Sequence, residues 1–370
     1  MIIKRSAISG WVAQIVRVSR AASCAALKSP MKISPRVGFA VVGLGAIAQS
    51  SVLPCFMRSK RAVIAGLVGR NKEEAGRLAR KYKVHAFYGA DEYSACLANP
   101  EIAAVYIATP PGEHSKLAIQ AAQAGKHVLC EKPLAARIEQ SAQMVEACRR
   151  NGVLLMTAYR KHFEPSCLYL KELIQNGNLG RIDVIHTAFS ELHSPGVSLP
   201  WLLNSDMAGG GPLTDLGIYC VNTTRWLLRE DPVSVTAQAW VNDKTRFSEV
   251  EEGISFRLQF PNSTVVQGSS SYGAVISSFV FVQGTKGWVS LTPAFPFDEV
   301  RRLTGKIGKR WIERRFKITD EFLPEVDAFA SAIQNKCSIQ PDGIQGHRDM
   351  IILNAIYESA RKQRAVSIGY

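Results

Sequence analysis

At 370 residues, 46% of them hydrophobic and 21% charged, the chain has room for two domains with sizeable cores and the make-up of an ordinary globular protein. No run of about 18 or more apolar residues occurs, which excludes a conventional membrane-spanning helix; the eight cysteines form no CxxC pair or metal-ligand spacing, so they read as buried thiols of a reduced compartment, not a disulfide frame or zinc site. The net charge of +14 raises the question of a nucleic-acid partner, but Lys4, Arg5, Arg17, Arg20 and Lys28 crowd into an acid-free start and no nucleic-acid-binding motif follows.

The opening segment reads as separate from the fold. A short apolar stretch from Ile8 to Val16 follows Lys4-Arg5, but Arg17 and Arg20 interrupt it before any cleavage site of a secretory leader. An acid-free segment with Arg and Ser also suits an organellar presequence, and Met31 opens a conventional enzyme N-terminus. Residues 1–34 are expected to lie outside the folded body of a cytoplasmic protein, or of an exported or organellar one if the leader is genuine.

From Arg36 onward, short apolar runs alternate with helical stretches. Val37–Val42 reads as a buried strand, Ala46–Ser59 as a helix, Ala62–Val68 as a strand and Asn71–Tyr82 as a helix. Strands are predicted at Ala103–Ile107, Val128–Cys130 and Val153–Ala158, separated by helices near Glu113–Ala124 and Arg137–Asn151. Continuous apolar strands alternating with helices predict a doubly wound parallel sheet, an α/β Rossmann domain over residues 35–158.

Beyond residue 160 the pattern changes. A helix over Ser166–Gln175 precedes an alternating strand over Ile182–Glu191, then a glycine-rich turn and a helix over Thr214–Leu228. Strand-like runs follow at Val233–Trp240, Ile254–Phe260, Thr264–Ser270, Phe279–Gln283 and Trp288–Leu291, which predicts an α+β domain with a mostly antiparallel sheet over residues 159–345. The cations Arg301, Arg302, Lys306, Lys309, Arg310, Arg314, Arg315 and Lys317 read as a solvated face, with attraction of an anionic ligand as the alternative. Helices near Phe322–Asn335 and His347–Lys362 end the chain, with residues 346–370 packing back on the body.

Gly43-Leu44-Gly45-Ala46-Ile47-Ala48 is a GxGxxA element directly after a strand and opening a helix. Gly43 permits the tight turn, Gly45 lets backbone approach a pyrophosphate, and Ala48 allows close helix–strand packing. The helix start supplies unpaired N–H groups and a positive dipole for phosphates. After the second strand, Val68-Gly69-Arg70-Asn71-Lys72 holds no acid for a ribose 2′-hydroxyl, whereas Arg70 can pair with a 2′-phosphate, so NADP is preferred over NAD. Thr109-Pro110-Pro111 with His114, and Glu131-Lys132-Pro133, follow further strands and face the same crevice as candidate cofactor contacts. Charges abutting apolar Val128-Leu129-Cys130 are costly to bury without purpose, which makes Lys132 a candidate active-site cation.

In Gly209-Gly210-Gly211-Pro212-Leu213-Thr214-Asp215-Leu216-Gly217-Ile218-Tyr219-Cys220-Val221-Asn222, helical spacing puts Asp215, Tyr219 and Asn222 on one face beside a glycine-rich loop. Oxidising an alcohol requires a group that takes the hydroxyl proton as hydride leaves. A tyrosine, with a reference pKa of about 10, needs a neighbouring cation for that work. The expected unit is Tyr219 as general acid/base, Lys132 tuning it and holding the substrate oxygen, and Asp215 orienting a substrate hydroxyl. Tyr159 and Arg160 are placed near the nicotinamide, with Arg160 a cofactor contact. Trp201, in the loop His193–Leu203, joins Tyr159, Asp215 and Asn222 as a substrate contact. No metal is implied.

GLGAIA, the EKP triplet, TAYRKHFEP and GGGPLTDLGIYCVN, in that order, resemble the glucose–fructose oxidoreductase/inositol dehydrogenase (Gfo/Idh/MocA) family, as does the closing Arg348-Asp349 with Ala355-Ile356-Tyr357-Glu358-Ser359-Ala360. The likeness covers roughly residues 35–370. It implies a Rossmann domain followed by an open-faced sheet that often mediates homodimers or homotetramers, with Lys132 catalytic and the Asp215 helix supplying the acid/base. Many members carry His where Tyr219 stands and Asp where Asn222 stands. The tyrosine form resembles the NADP-using branch of glucose–fructose oxidoreductase and the dimeric dihydrodiol and xylose dehydrogenases, although Leu202 follows Trp201 where an arginine is common. The resulting expectation is an NADP-dependent oxidoreductase acting on an aldose, polyol or cyclic diol. The alternatives are a transhydrogenating enzyme with retained NADP and a non-catalytic NADP-sensing regulator.

Overall fold

The computed structural model describes residues 36–194 and 200–370; the reading of residues 1–34 lies outside them. The first domain is a six-stranded parallel sheet of β1 (Val37–Val42), β2 (Ala62–Gly69), β3 (Phe87–Gly89), β4 (Ala104–Ile107), β5 (His127–Glu131) and β6 (Leu155–Ala158), in the order β3-β2-β1-β4-β5-β6. All six residues of β1 are buried because successive side chains enter cores on opposite faces. Phe39 and Val41 join one core with Leu53 and Tyr106, while Ala40 and Val42 join the other with Ala118 and Val128. The strand order reverses between β1 and β4, which opens a crevice at their carboxyl ends.

Helices α1 (Leu53–Phe56), α2 (Lys72–Tyr82), α3 (Tyr93–Ala98), α4 (Pro111–Gln123) and α5 (Ile138–Arg150) cover this sheet. The expected helix over Ala46–Ser59 is a π-helical turn, Ala48–Val52, running into the short α1. Pro54 offers no N–H for the regular ladder, and a widened turn accommodates that loss. Sequence reading missed β3 and α3, whose three and six residues are too short to show a period.

The second sheet has nine strands: β7 (Ile182–Ser190), β8 (Ser234–Trp240), β9 (Gly253–Gln259), β10 (Val265–Ser271), β11 (Ser277–Gly284), β12 (Gly287–Thr292), β13 (Arg301–Ile307), β14 (Arg310–Phe316) and β15 (Val366–Ser367). Their order is β14-β13-β12-β11-β7-β10-β9-β8-β15, antiparallel except between β7 and β10. The cationic stretch is therefore the β13–β14 hairpin at the sheet edge, not merely a solvated face. Its charges alternate with Leu303 and Ile312, Arg302 and Arg315 flank Glu313, and a charged edge discourages pairing with another chain.

Helices α6 (Pro165–Gln175), α7 (Ser205–Ala208) and α8 (Ile218–Leu228) follow the first domain, α8 continuing a π-helical turn over Leu213–Gly217. The helix α9 (Phe322–Asn335), expected in the second domain, packs Phe322, Val326, Phe329 and Ala330 on the first sheet. The last helix, α10 (Gly343–Lys362), begins four residues before its expected start: Asp342 caps it by accepting from the Gln345 N–H, and Gly343 and Gly346 lie close against Leu155 and Thr157. Cys55, Cys96, Cys130, Cys148, Cys167 and Cys220 are buried free thiols. No helix among the described residues is long and apolar enough to cross a membrane, and none of their His, Cys, Asp and Glu side chains cluster to hold a metal.

Candidate active site

A cleft of about 1240 Å³ runs along the carboxyl ends of β1, β2, β4 and β5 and reaches the π turn before α8. Its dinucleotide end is lined by Gly43, Leu44, Gly45, Ala46 and Ile47, by Arg70, and by Thr109 and Pro110. Gly43 adopts φ +90°, and a Cβ there would come within 2.6 Å of the Ala108 carbonyl oxygen. A Cβ on Gly45 would meet nothing within 4 Å, so that glycine borders open space from which a phosphate can approach backbone. The cradle thus fits a dinucleotide. Arg70 is exposed on the cleft rim, with no ion-pair partner among the described residues. Ala48 lies behind the wall, fully buried against the sheet.

At the other end the structure brings Lys132, Asp215, Tyr219 and Arg160 together. Lys132 Nζ lies 2.8 Å from Asp215 Oδ1, donates also to the Asp215 carbonyl at 2.7 Å, and sits 4.9 Å from the Tyr219 ring centroid. Burial opposes its charge, but Asp215, followed by Tyr219, holds the amine above its usual value. Burial pushes Asp215 up as well, yet Lys132 overcomes that and keeps the carboxyl below its usual range. The second oxygen of Asp215 accepts from Tyr272 Oη at 3.0 Å. Arg160 Nε donates to Tyr219 Oη at 3.2 Å, so two cations face one phenol.

Arg160 is held from behind. Glu321, fully buried just before α9, accepts from Arg160, Lys161 and Arg301, and Arg160 also donates to the Phe295 carbonyl at 2.9 Å. Arg301 also lies 3.7 Å from Glu164, so three cations share two carboxylates and one cation is in surplus. Burial, with Arg160 adding to it, pulls Lys161 down to about 7. In the unfolded chain this amine holds its proton up to about 10.5, so between those values the unfolded state binds more protons and stability rises with pH. Lys161→Met is expected to stabilise the protein by roughly 1–4 kcal/mol at neutral pH, since an apolar side chain replaces a poorly paired buried charge. The same variant should flatten the rise in denaturation midpoint between neutral pH and about pH 9. A lower midpoint at neutral pH would mean that Lys161 is a net stabilising ion-pair partner.

Several candidates stand outside the cleft lining. His114 is fully buried, its ring nitrogens 2.8 Å from the Thr109 carbonyl and 3.1 Å from that of Pro133, so it joins the two loops instead of reaching a cofactor. Tyr159 is buried and stacks near His162. Asn222 lies in the interior between His162 Nε2 (2.8 Å) and Asp349 Oδ2 (2.9 Å). It follows the helix face of Asp215, but seven residues carry it about 10 Å farther along the axis. Glu131 borders the cleft, with one oxygen accepting from Tyr106 Oη at 2.7 Å. Trp201 lines the cleft; residues 195–199 of its loop lie outside the described residues.

Other site residues escaped the sequence reading. Tyr272 follows β10 directly, and only three-dimensional pairing reveals its contact with Asp215. Glu325 on α9 lines the cleft with neither carboxyl oxygen hydrogen-bonded, and burial, then Glu131, holds it well above the usual carboxylate range. Glu251 accepts from the Gly211 and Leu213 N–H groups at 3.0 Å each and from Tyr357 Oη at 2.9 Å, which pins the glycine loop ahead of Asp215. An acid 40 residues beyond the Gly211 it holds leaves no periodic signal.

A reversing parallel sheet, a glycine cradle and a Lys–Asp–Tyr cleft define a Rossmann-type nucleotide-dependent enzyme. Residues 37–159 match the family described as "Oxidoreductase family, NAD-binding Rossmann fold", and residues 167–290 match the GFO/IDH/MocA C-terminal domain. A D-xylose 1-dehydrogenase [NADP(+)] of Haloarcula marismortui is 31% identical over 338 residues, which span 90% of this chain and 93% of that protein. The trans-1,2-dihydrobenzene-1,2-diol dehydrogenase of Mus musculus is 29% identical over 257 residues, 69% of this chain and 74% of that one. The crystal structure of an aldose-aldose oxidoreductase from Caulobacter crescentus, complexed with glycerol, superposes with a TM-score of 0.86 at 30% identity, covering 90% of this chain and 100% of the other. The chain belongs to the Gfo/Idh/MocA family of oxidoreductases.

Proposed function

We propose that the protein is an NADP-dependent dehydrogenase or reductase that interconverts a carbinol and a carbonyl carbon in a sugar-like substrate. The observation that carries this reading is the convergence of Lys132, Asp215, Arg160 and Tyr219 Oη at the inner end of a dinucleotide-shaped cleft. The glycine turn and Arg70 would hold NADP, which would supply the hydride acceptor. Lys132 donates a hydrogen bond to the substrate oxygen and holds it beside Tyr219. As the carbinol C–H bond gives up its hydride, the hydroxyl proton passes to the phenolate oxygen of Tyr219, which becomes the neutral phenol, and the carbonyl forms. Lys132 and Arg160, the two cations facing Tyr219, stabilise the phenolate that takes this proton. Asp215, fixed by Lys132 and Tyr272, orients a neighbouring hydroxyl. By name, one relative acts on the sugar D-xylose and the other on a 1,2-diol, and the chemistry of this cleft suits such hydroxylated substrates.

The NADP preference rests on Arg70. Arg70→Glu is expected to weaken NADP binding about tenfold or more while sparing or improving NAD binding, measured by calorimetric titration of each cofactor. Equal losses for both would remove Arg70 from 2′-phosphate recognition. The aldose-aldose oxidoreductase likeness favours a second reading, in which one sugar reduces a retained cofactor and another reoxidises it. In that case turnover with a single sugar stops after one equivalent of cofactor and resumes when a second aldose is added. Self-association is also part of the proposal: Phe281 on β11, Trp288 on β12 and Trp311 on β14 form a row of tilted and edge-on rings across the second sheet, with Trp311 largely exposed.

A further inference from the structure

Glu191 reaches the substrate end of the cleft by strand geometry. It follows β7 directly, two residues after Phe189, and side chains two apart on an extended strand share a face. Phe189 meets the Tyr219 ring edge-on at 5.7 Å, so the shared face is that of the proposed acid/base. The segment is tied down: Glu191 N–H donates to the Ser271 carbonyl at 3.0 Å, and His193 N–H donates to the Tyr272 carbonyl at 2.9 Å. The His193 and Tyr272 rings stack at 4.2 Å, and Tyr272 in turn holds Asp215. Glu191 lines the cleft together with Trp201, and its carboxylate has no ion-pair or side-chain hydrogen-bond partner among the described residues.

Resting on the dehydrogenase reading above, we infer that Glu191 and Trp201 form a carbohydrate subsite, so the substrate is a polyhydroxylated aldose and not an aromatic or alicyclic diol. A diol presents two vicinal hydroxyls, which Lys132, Tyr219 and Asp215 already accommodate. A third acceptor would then face an apolar ring edge, and its desolvation would go uncompensated. A pyranose or furanose presents further hydroxyls at its rim, and a carboxylate accepts two of them in charge-assisted bonds. Its apolar C–H face suits the indole of Trp201, which offers flat apolar area at low entropic cost.

The test uses the full chain with saturating NADP, a panel of aldoses with their single-position deoxy analogues, and trans-cyclohexane-1,2-diol. The subsite predicts that wild type turns over an aldose far better than the diol. Glu191→Leu should raise KM for that aldose by roughly ten- to a hundredfold, with a smaller effect on kcat and unchanged NADP binding. One deoxy analogue should be handled equally by wild type and variant, which identifies the hydroxyl Glu191 receives. Glu191→Gln, which keeps the shape and one acceptor, should fall between them. A wild type that prefers the diol, or an E191L variant whose KM is unchanged, overturns the subsite and leaves the dehydrogenase reading standing. A wild type that reduces cofactor with neither class overturns both.

Discussion

Replacing Lys132 with methionine is expected to lower turnover by about a thousandfold or more while leaving NADP binding within a few-fold of wild type. Among the described residues, the amine is the only side chain that contacts both the carboxylate of Asp215 and the face of Tyr219. Methionine keeps most of its length and apolar stem but has no charge and no donor. Gly43, Gly45 and Arg70, the residues proposed to hold the dinucleotide, line the opposite end of the cleft. A second signature follows from the ion pair. Lys132 keeps Asp215 below its usual carboxylate range against the opposing effect of burial. A depressed carboxyl contributes stability that is present above its unfolded value and lost as pH falls through the folded one. In Lys132→Met, burial dominates, Asp215 rises, and that acid-side contribution should disappear. Stopped or steady-state kinetics with cofactor titration checks the first effect, and denaturation at acid and neutral pH checks the second. Full activity in the variant would remove Lys132 from the chemistry.

Tyr219→Phe should lower kcat by about a hundred- to ten-thousandfold with a stability change of only about 1 kcal/mol. The ring keeps its contacts with Phe189 and Phe295, so the variant removes one oxygen from an otherwise intact wall. Arg160 loses one acceptor but retains Glu321 and the Phe295 carbonyl, which limits the structural cost. The split between a large rate effect and a small stability effect separates a proton-transferring phenol from a packing residue. A variant with wild-type kcat would transfer the acid/base role elsewhere.

The parts of this architecture legible from sequence are those written in local patterns. Val37–Val42 followed by GLGAIA states strand, turn and helix within a dozen residues, and the observed β1 has the expected bounds. The EKP triplet and the Asp215 segment announced themselves as charges against apolar or glycine-rich surroundings, and the fold places both on one cleft. Patterns failed where tertiary context decides. Arg301 sits in a run of cations, yet it is fully buried because Glu321 and Glu164 await it across the second domain. Helical spacing grouped Asn222 with Tyr219, whereas the cleft ends one turn earlier and Asn222 serves the interior with Asp349. Glu191, Tyr272 and Glu325 each come from a separate element, so their common address exists only after the two sheets have folded.

The central claim is hydride transfer between NADP and an aldose, and the most direct measurement is the appearance of reduced nicotinamide absorbance. The full chain would be mixed with NADP or NAD and a panel of aldoses, polyols and cyclic diols. Sustained reduction of NADP by an aldose, faster than with NAD and absent in Lys132→Met, is the predicted result. Tight NADP binding with no reduction by any substrate, alone or paired with a second sugar, would contradict it and point to a nucleotide-sensing protein instead.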